Sequence, residues 1–289
     1  MQPAIALNWR ADVLAQQLAP LLPGIGVQVQ AQLGSTNTRL LELARAAAPG
    51  ACPPQLLVAE HQTAGRGRMG RGWVSEAGTS LTFSLLLPLA PASWSGLSLA
   101  VGCALADALE VALEDTPEPA ATPPRLALKW PNDLWLLDGP GRGRKLGGIL
   151  IETVAAGAQR LAVVGVGLNV QPQPQADGSS LSHGLASISE LDSRCTAPAA
   201  LAAVARPLVL ALQRFEAEGF APFHAAFARR DLLAGQALAT SGAEPALQGR
   251  GEGVDHDGAL LLRSADGTLH RISSGEVSVR LQTPAATPC

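Results

Sequence analysis

Along this chain the apolar residues change period several times, and each change marks an element. Residues 10–22 carry apolar positions at helical spacing and stop at Pro23-Gly24, which predicts a short helix. A polar loop, Gly34-Ser35-Thr36-Asn37, leads into Thr38–Ala48, where Leu40, Leu41, Leu43 and Ala44 form one apolar helical face. Thr36 or Asn37 can cap that helix, since a short polar side chain at this point accepts from a free backbone N–H. Gln55–Glu60 and Ser80–Leu87 read as buried strands. Leu97–Leu113 returns to helical spacing before a Pro-rich loop, Thr116–Pro124. Four further strands are expected at Arg125–Trp130, Leu134–Leu137, Leu146–Thr153 and Gln159–Asn169, separated by turn residues. After a Pro/Gln/Ser-rich loop at 171–184, Ala197–Arg230 is largely helical, with a break near Gly219. The pattern is that of a mixed α/β domain whose strands follow one another as hairpins.

From about Gly235 the texture changes. The pairs Asp257-Gly258, Asp266-Gly267 and Ser274-Gly275 punctuate short strands such as Ala259–Arg263, Thr268–Ile272 and Val277–Leu281, which predicts a small β-barrel as a second domain. The expected boundaries are 1–234 for the large domain (core 24–230), 235–283 for the barrel and 284–289 for a tail. One stretch, Ala77–Ala106, lacks charge for long enough to raise the question of a membrane span. Pro88, Pro91 and the Ser/Gly cluster at Ser93–Ser98 divide it into a strand-sized and a helix-sized piece, so no span is expected.

With 47% hydrophobic and 16% charged residues in 289, the chain has ample apolar surface for a packed core. A net charge of −3 without a basic tail argues against a nucleic-acid coat or an electrostatic membrane binder. Cys52, Cys103, Cys195 and Cys289 form no C-x-x-C pair and read as scattered reduced thiols of a cytoplasmic protein. The basic residues are unevenly divided: 19 are Arg, and Lys129 and Lys145 are the two lysines. Where arginine has replaced nearly every lysine, the two that stay raise the question of what only a compact ammonium can do.

The most informative loop is Glu60–Trp73. Gly65, Gly67 and Gly70 satisfy G-x-G-x-x-G, but a strand candidate rather than a helix follows, so a dinucleotide-binding turn is excluded by context. A protein-kinase loop would fit strand-loop-strand, yet no H-R-D or D-F-G sequence lies downstream. Arg66, Arg68 and Arg71, interleaved with glycines, read as a flexible lid that grips a small anion.

Lys129 stands in Lys129-Trp130-Pro131-Asn132-Asp133-Leu134 and Lys145 in Lys145-Leu146-Gly147-Gly148-Ile149-Leu150-Ile151-Glu152. Together with Ser35-Thr36-Asn37, the Gly65–Trp73 loop and Gly165-Val166-Gly167-Leu168-Asn169, in this order, these segments resemble the biotin–protein ligases (biotin–[acetyl-CoA-carboxylase] ligases). The resemblance implies an α/β (α+β) fold: a mixed-sheet, class II synthetase-like biotin/lipoate ligase catalytic domain with a small C-terminal SH3-like β-barrel. It implies activation of biotin by ATP and Mg2+ to biotinyl-5'-AMP, then transfer of biotin to a lysine of a biotin carboxyl carrier protein. By the same resemblance, Ser35, Thr36, Asn37 and Gln62 line the biotin site, Arg66, Gly67 and Arg68 belong to the closing loop, and Gly147 borders biotin. Lys145 matches the catalytic lysine, with Arg66, Arg68 and Asp133 beside it; an ammonium between carboxylate and phosphate relieves their repulsion. Trp73, Lys129, Asn132 and Asn169 match the nucleotide side. Trp73 is either a stacking surface or a core residue, Lys129 either neighbours phosphate or forms a structural ion pair, and Asn132 either acts or simply shapes a turn. Asp133 has the chemistry to hold Mg2+ or to orient the incoming amine.

There are departures. Met69 stands where some members have a further arginine, and His61 where an aromatic is common; His61 is expected to be structural. Only 34 residues precede Ser35, too few and too weakly basic for the winged helix-turn-helix of repressor-type members, so DNA binding is not expected. A homodimer is allowed but not required. The rival readings are a lipoate–protein ligase or octanoyltransferase of the same fold, a DNA-binding biotin sensor, and an inactive ligand-binding protein. The Arg-rich loop favours biotin over lipoate, and Lys145 with Arg66 disfavours the inactive protein.

Overall fold

The computed structural model describes residues 7–48, 52–113, 124–157, 159–173, 184–242, 246–274 and 278–281. The loop expected after Leu113, most of the loop at 171–184, Gly275 of the third turn pair, Cys289 and the tail lie outside the described residues. The elements are α1 (Ala11–Leu18), β1 (Gly26–Leu33), α2 (Thr36–Ala46), β2 (Gln55–Gln62), β3 (Ser80–Pro88), α3 (Leu97–Leu113), β4 (Leu126–Lys129), β5 (Asp133–Gly139), β6 (Arg142–Ala156), β7 (Gln159–Asn169), α4 (Ala197–Glu218) and α5 (His224–Arg230). They are followed by β8 (Ala237–Ser241), β9 (Gln248–Val254), β10 (Leu260–Arg263), β11 (Leu269–Ile272) and β12 (Ser278–Leu281).

Seven strands form one sheet in the order β1-β2-β3-β7-β6-β5-β4. All pairs are antiparallel except β1 and β2, which run parallel because α2 carries the chain across between them. The strand β1 is absent from the sequence-based expectation. Val27, Val29, Ala31 and Leu33 alternate with glutamines, but this is an edge strand with none of its residues fully buried, so its apolar signal is weak. Strands β8 and β9 are likewise absent from the expectation: β8 is short, and Gly249, Gly251 and Gly253 dilute the pattern of β9.

The two faces of this sheet differ. Alternate residues Leu81, Phe83 and Leu85 of β3 and Val164, Val166 and Leu168 of β7 meet α1, α3 and α4 in the main core. The opposite face carries a smaller cluster where α2 lays Leu40, Leu41 and Ala44 on Leu57, Leu86 and Val163. Helix α2 starts two residues earlier than expected. Ser35, in extended backbone, caps it by accepting from the Thr38 N–H, so Thr36 and Asn37 belong to the first turn rather than to the cap. Helix α4 ends at Gly219, whose φ of 69° suits a residue without Cβ, which is the expected break.

The five C-terminal strands form an antiparallel sheet in the order β11-β10-β9-β8-β12, whose Leu238, Val254, Leu260, Leu262, Ile272 and Val279 join the main core. The Trp130 indole N–H donates to Gly258 O at 3.1 Å, and His224 Nε2 lies 2.9 Å from Val254 O. Gly258 needs its missing Cβ twice: its φ is 80°, and a Cβ would stand 2.7 Å from the Cα of Gly96. Behind this junction, buried Arg230 ties α5 to α3 through Asp107 (2.7 Å) and Glu110 (2.6 Å) and donates to Leu126 O.

Asp231, next in the chain, has one carboxylate oxygen on the Leu233 N–H while the other is buried with no hydrogen-bond donor among the described residues. Burial pushes its carboxyl up to about 6. An acid raised in the folded state lowers stability as the pH climbs through that value, because the unfolded chain ionises it more readily. Asp231→Asn is therefore expected to gain on the order of 2–3 kcal/mol in urea unfolding at about pH 8 relative to its effect near pH 4. An effect equal at both pH values would show that Asp231 is not titrating in this range.

Candidate active site

Beyond the apolar patch under α2, the same face of the sheet is built from hydroxyls and glycines. On β3 the buried polar residues Ser80, Thr82 and Ser84 alternate with the core leucines and phenylalanine, and on β7 Gly165, Gly167 and Asn169 do the same. These positions are directly paired: Ser84 with Gly165, Thr82 with Gly167, Ser80 with Asn169. Two side chains use the space this leaves. A Cβ on Gly165 would sit 2.1 Å from Asn37 Oδ1, and one on Gly167 would sit 2.5 Å from the Trp73 ring.

The first turn of α2 closes one end of this floor. The Thr36 N–H donates to Gln62 Oε1 at 2.7 Å, and the Gln62 N–H donates to Ser75 Oγ at 2.8 Å. Ser84 Oγ lies 2.6 Å from Asn37 Oδ1 and 2.7 Å from Thr36 Oγ1. Because an amide oxygen can only accept, the single Ser84 proton goes to Asn37, and the Thr36 hydroxyl then has Ser84 Oγ or Gln62 Oε1 to donate to. The Asn37 NH2 in turn donates to Leu150 O (3.1 Å) and Glu152 Oε2 (3.0 Å). His61 Nδ1 sits 2.7 Å from Ser75 O, a structural position as expected.

At the other end stand the two lysines. Along β6, Gly148 and Glu152 face the floor while Ile149 faces the core. Simple alternation would send Lys145 to the core as well. A bulge intervenes: Leu134 pairs with Gly147 but Trp135 with Lys145, so Leu146 is the extra residue and drops into the core. The shift turns Lys145 onto the site face, where its Nζ pairs with Asp133 Oδ1 at 2.8 Å and lies 5.9 Å from the centre of the Trp73 ring. A Cβ at Gly148 would lie 3.4 Å from Asp133 Oδ1 and 3.6 Å from Lys145 Nζ, so a larger residue would crowd the pair.

Asp133 is shared. Lys129, opposite it in the hairpin and with Nζ 5.0 Å from the Trp135 ring centre, is held below its ordinary pKa by burial, a shift that Asp133 opposes. Arg68 is likewise lowered by burial and supported by Asp133. The β4–β5 turn contains a cis Trp130–Pro131 bond. Asn132 does more than shape that turn: its amide donates to Ile149 O at 2.9 Å and accepts from Arg68 at 3.3 Å. Asn169 directs its buried NH2 to Ala186 O (3.0 Å) and Lys145 O (3.4 Å), while Lys145 O also accepts from the Ala186 N–H (2.8 Å). Its position thus anchors the main chain that carries Lys145. The Cβ position of Gly147 points at Gly167 O and Leu168, into the sheet packing, so Gly148 rather than Gly147 borders the lysine.

The Gly/Arg loop folds back as a tight excursion, with Arg66 bridged to Gly72 and the Trp73 N–H donating to Gly65 O at 2.9 Å. At its tip Met69 (φ 56°) and Gly70 (φ 72°) adopt left-handed backbone. Arg66 pairs with Glu152 at 3.0 Å and donates to Thr38 Oγ1 at 3.3 Å. Arg68 also donates to Ser274 O, joining this loop to the C-terminal sheet. Trp73 keeps its indole N–H buried with no acceptor among the described residues.

The expected residues therefore gather in two joined halves. Ser35, Thr36, Asn37, Gln62 and Arg66 form a polar pocket; Lys145, Asp133, Lys129, Asn132 and Arg68 form a cationic one, with Trp73 between them. Glu152, Ser75, Ser84, Gly165 and Gly167 take part without having been given a role, although Glu152, Gly165 and Gly167 stand in the motif segments. For Ser84, Gly165 and Gly167 the signal was a hydroxyl or glycine at every second position of an otherwise apolar strand; Ser75 lies outside the strands. Four cations around two carboxylates suit a ligand that is itself polyanionic.

Comparison with known proteins bears on this arrangement. Residues 29–169 match the biotin/lipoate A/B protein ligase family and 238–280 the biotin protein ligase C-terminal domain. The chain is 33% identical to the bifunctional ligase/repressor BirA of Escherichia coli, over 92% of this chain and 78% of that protein. It is 34% identical to the biotin–[acetyl-CoA-carboxylase] ligase of Paracoccus denitrificans, over 82% of this chain and 94% of the relative. Its fold is similar to that of the biotin protein ligase of Aquifex aeolicus solved with biotin and ATP, with a TM-score of 0.70 and 26% identity, covering 89% of this chain and 99% of the other.

If Asn37 rests on Gly165 as described, Gly165→Ala must push it aside. The expected outcome is a loss of about 1–3 kcal/mol in denaturant unfolding. Unchanged stability would contradict that contact.

Proposed function

Because the chain belongs to the biotin/lipoate A/B protein ligase family and carries the biotin protein ligase C-terminal domain, we propose that it is a biotin–[acetyl-CoA-carboxylase] ligase. In the first step a biotin carboxylate oxygen attacks the α-phosphorus of ATP and pyrophosphate leaves, giving biotinyl-5'-AMP. In the second, a lysine amine of a carboxylase carrier domain attacks the acyl carbon, the amine proton is lost and AMP leaves. The observation that carries this reading is the Lys145 ammonium, fixed by Asp133 at 2.8 Å within a cationic half-site adjoining the polar pocket. The first step brings two anions together, carboxylate and phosphate, and the second builds negative charge on the acyl oxygen and the departing AMP; a preorganised ammonium stabilises the charge that develops in each.

The other roles follow from position. Ser35, Thr36, Asn37 and Gln62 supply hydroxyl and amide groups for the polar ureido ring of biotin, with Gly67 and Gly147 as neighbouring backbone. Arg66 and Arg68 offer guanidinium forks to carboxylate and phosphate. Trp73 presents a ring face to the nucleotide, and Lys129 a nearby positive charge. Asn132 positions Arg68, and Asn169 positions Lys145.

Mg2+ is commonly held by one or two carboxylates together with substrate phosphates. Among the described residues no group of three His, Cys, Asp or Glu side chains includes Asp133, so its single carboxylate suits an ion that arrives with ATP. When bound, Mg2+ neutralises charge on the phosphates.

The relatives named above are biotin ligases, which favours biotin over lipoate. We take residues 1–234 as the catalytic domain and 235–283 as the barrel, acting in the cytoplasm on the biotin carboxyl carrier protein, without DNA. No helix among the described residues is long and apolar enough to cross a membrane.

The test is ATP-dependent transfer of labelled biotin or lipoate to an apo carrier domain, with pyrophosphate release and calorimetric biotin binding measured in parallel. Lys145→Ala is expected to bind biotin while adenylate formation falls by roughly 10²–10³-fold. Lys145→Arg is expected to fail too, since a planar fork does not replace a compact ammonium. Lipoate transfer without biotin transfer would sink the assignment, and full activity in Lys145→Ala would remove that residue from the chemistry.

A further inference from the structure

Among the described residues, Glu152 is the carboxylate that touches both the Gly/Arg loop and the first turn of α2. Its Oε1 accepts from Arg66 Nη2 at 3.0 Å, and its Oε2 accepts from Arg66 Nη1 at 3.4 Å and from the Asn37 amide at 3.0 Å. Arg66 completes the arrangement by donating to Thr38 Oγ1. The strand supplies rigidity: β6 is paired continuously with β7 from Gly147 to Ala156, with Glu152 opposite Val163, and Glu152 lies four residues beyond Gly148 on the site face. Arg66, by contrast, sits on a Gly-flanked loop with its side chain about half exposed.

A guanidinium has one positive charge to share. When it is bidentate to a fixed carboxylate, a second anion brought to the same fork must displace that carboxylate or share the fork with it, and sharing sets two negative charges against each other. Biotin, the ligand expected here, carries its carboxylate at the end of its chain opposite the ureido ring, and Arg66 is one of the guanidinium forks expected to meet it. We propose that Glu152 is a positioning residue that competes with the anionic end of the ligand for Arg66, and thereby sets how strongly the site prefers a carboxylate over a neutral group. This rests on the biotin reading of the same site.

The competition has a use in a two-step reaction. A fork wholly free to close on an anion would also hold the activated intermediate, whereas the carrier lysine must reach its acyl carbon. A built-in rival for Arg66 keeps the loop's grip moderate. Removing the charge of Glu152 while keeping its shape leaves an acceptor for Asn37 and takes away the rival.

The experiment measures the affinity for biotin relative to biotinol, the neutral alcohol of the same skeleton, by calorimetry on the full chain. Wild type, Glu152→Gln, Arg66→Gln and the double variant are compared. An exposed or half-exposed Arg–carboxylate pair has a modest strength, so Glu152→Gln is expected to raise the preference for biotin over biotinol by roughly 2- to 5-fold. In the Arg66→Gln background the same substitution is expected to leave the preference where Arg66→Gln put it. A preference that is unchanged or lowered in Glu152→Gln overturns the proposal, because a purely structural role would move both ligands together. So does an increase that persists without Arg66, since that would be direct repulsion of the ligand. Wild-type protein that binds neither molecule would instead sink the biotin reading, and the proposal with it.

Discussion

Ser80, Thr82 and Ser84 of β3 and Gly165 and Gly167 of β7 have to be small or hydroxylated on one face of the sheet, and the rest of the site depends on that constraint. The opposite face of the same strands is packed with Leu, Phe and Val against three helices, so strand register is strongly determined: a slip of one residue would drive leucines into the site and serines into the core. With register determined, Ser84 meets Asn37, Gly165 gives it room, and Gly167 lets the Trp73 ring lie against the backbone. The buried hydroxyls are tolerable because they are hydrogen-bonded. Ser84 serves Asn37, and Thr82 donates to Ala59 O at 2.8 Å. A floor of this kind is polar yet largely satisfied by the protein itself, which keeps it in one arrangement.

The second requirement is to bring an ammonium onto that floor from a strand whose alternation would bury it. The bulge at Leu146 does this by spending one extra residue, and the main chain of Lys145 is then held by Ala186 and Asn169. Asp133 orients the ammonium while also facing Lys129 and Arg68. One carboxylate among three cations leaves a surplus of positive charge, partly sheltered from water, where Coulomb interactions are stronger than at an open surface. The C-terminal sheet bears on the same region through Arg68 and Ser274 O and through Trp130 and Gly258 O. Its contacts reach residues that neighbour the site rather than the site's floor.

Much of this was legible beforehand, and for particular reasons. Helix α3, strands β2, β3 and β7 and the break at Gly219 carry strong periods or strong stop signals. The motif segments drew attention to Lys145, Asp133 and Arg66 because the chain keeps so few lysines and crowds arginines into one glycine loop. What escaped were features that depend on partners distant in sequence. The edge strand β1 and the glycine-rich β9 have weak patterns of their own. Glu152 as the partner of Arg66 and Asn169 as an anchor of backbone become visible only once the strands are aligned, since they act through residues 86 and 24 positions away. Likewise the bulge cannot be read from Lys145-Leu146-Gly147 without its partner strand. Here local composition located the chemistry, and pairing across the sheet explained how it is aimed.

The central claim is that Asp133 aims the Lys145 ammonium at the reacting anions, and its most direct test is the single-turnover rate of biotinyl-5'-AMP formation in Asp133→Asn, measured beside equilibrium biotin binding. The account predicts that adenylate formation slows by roughly 10- to 100-fold while biotin affinity changes little, because the lost interaction acts on the group that stabilises the transition state. Adenylate formation at the wild-type rate in that variant would contradict it.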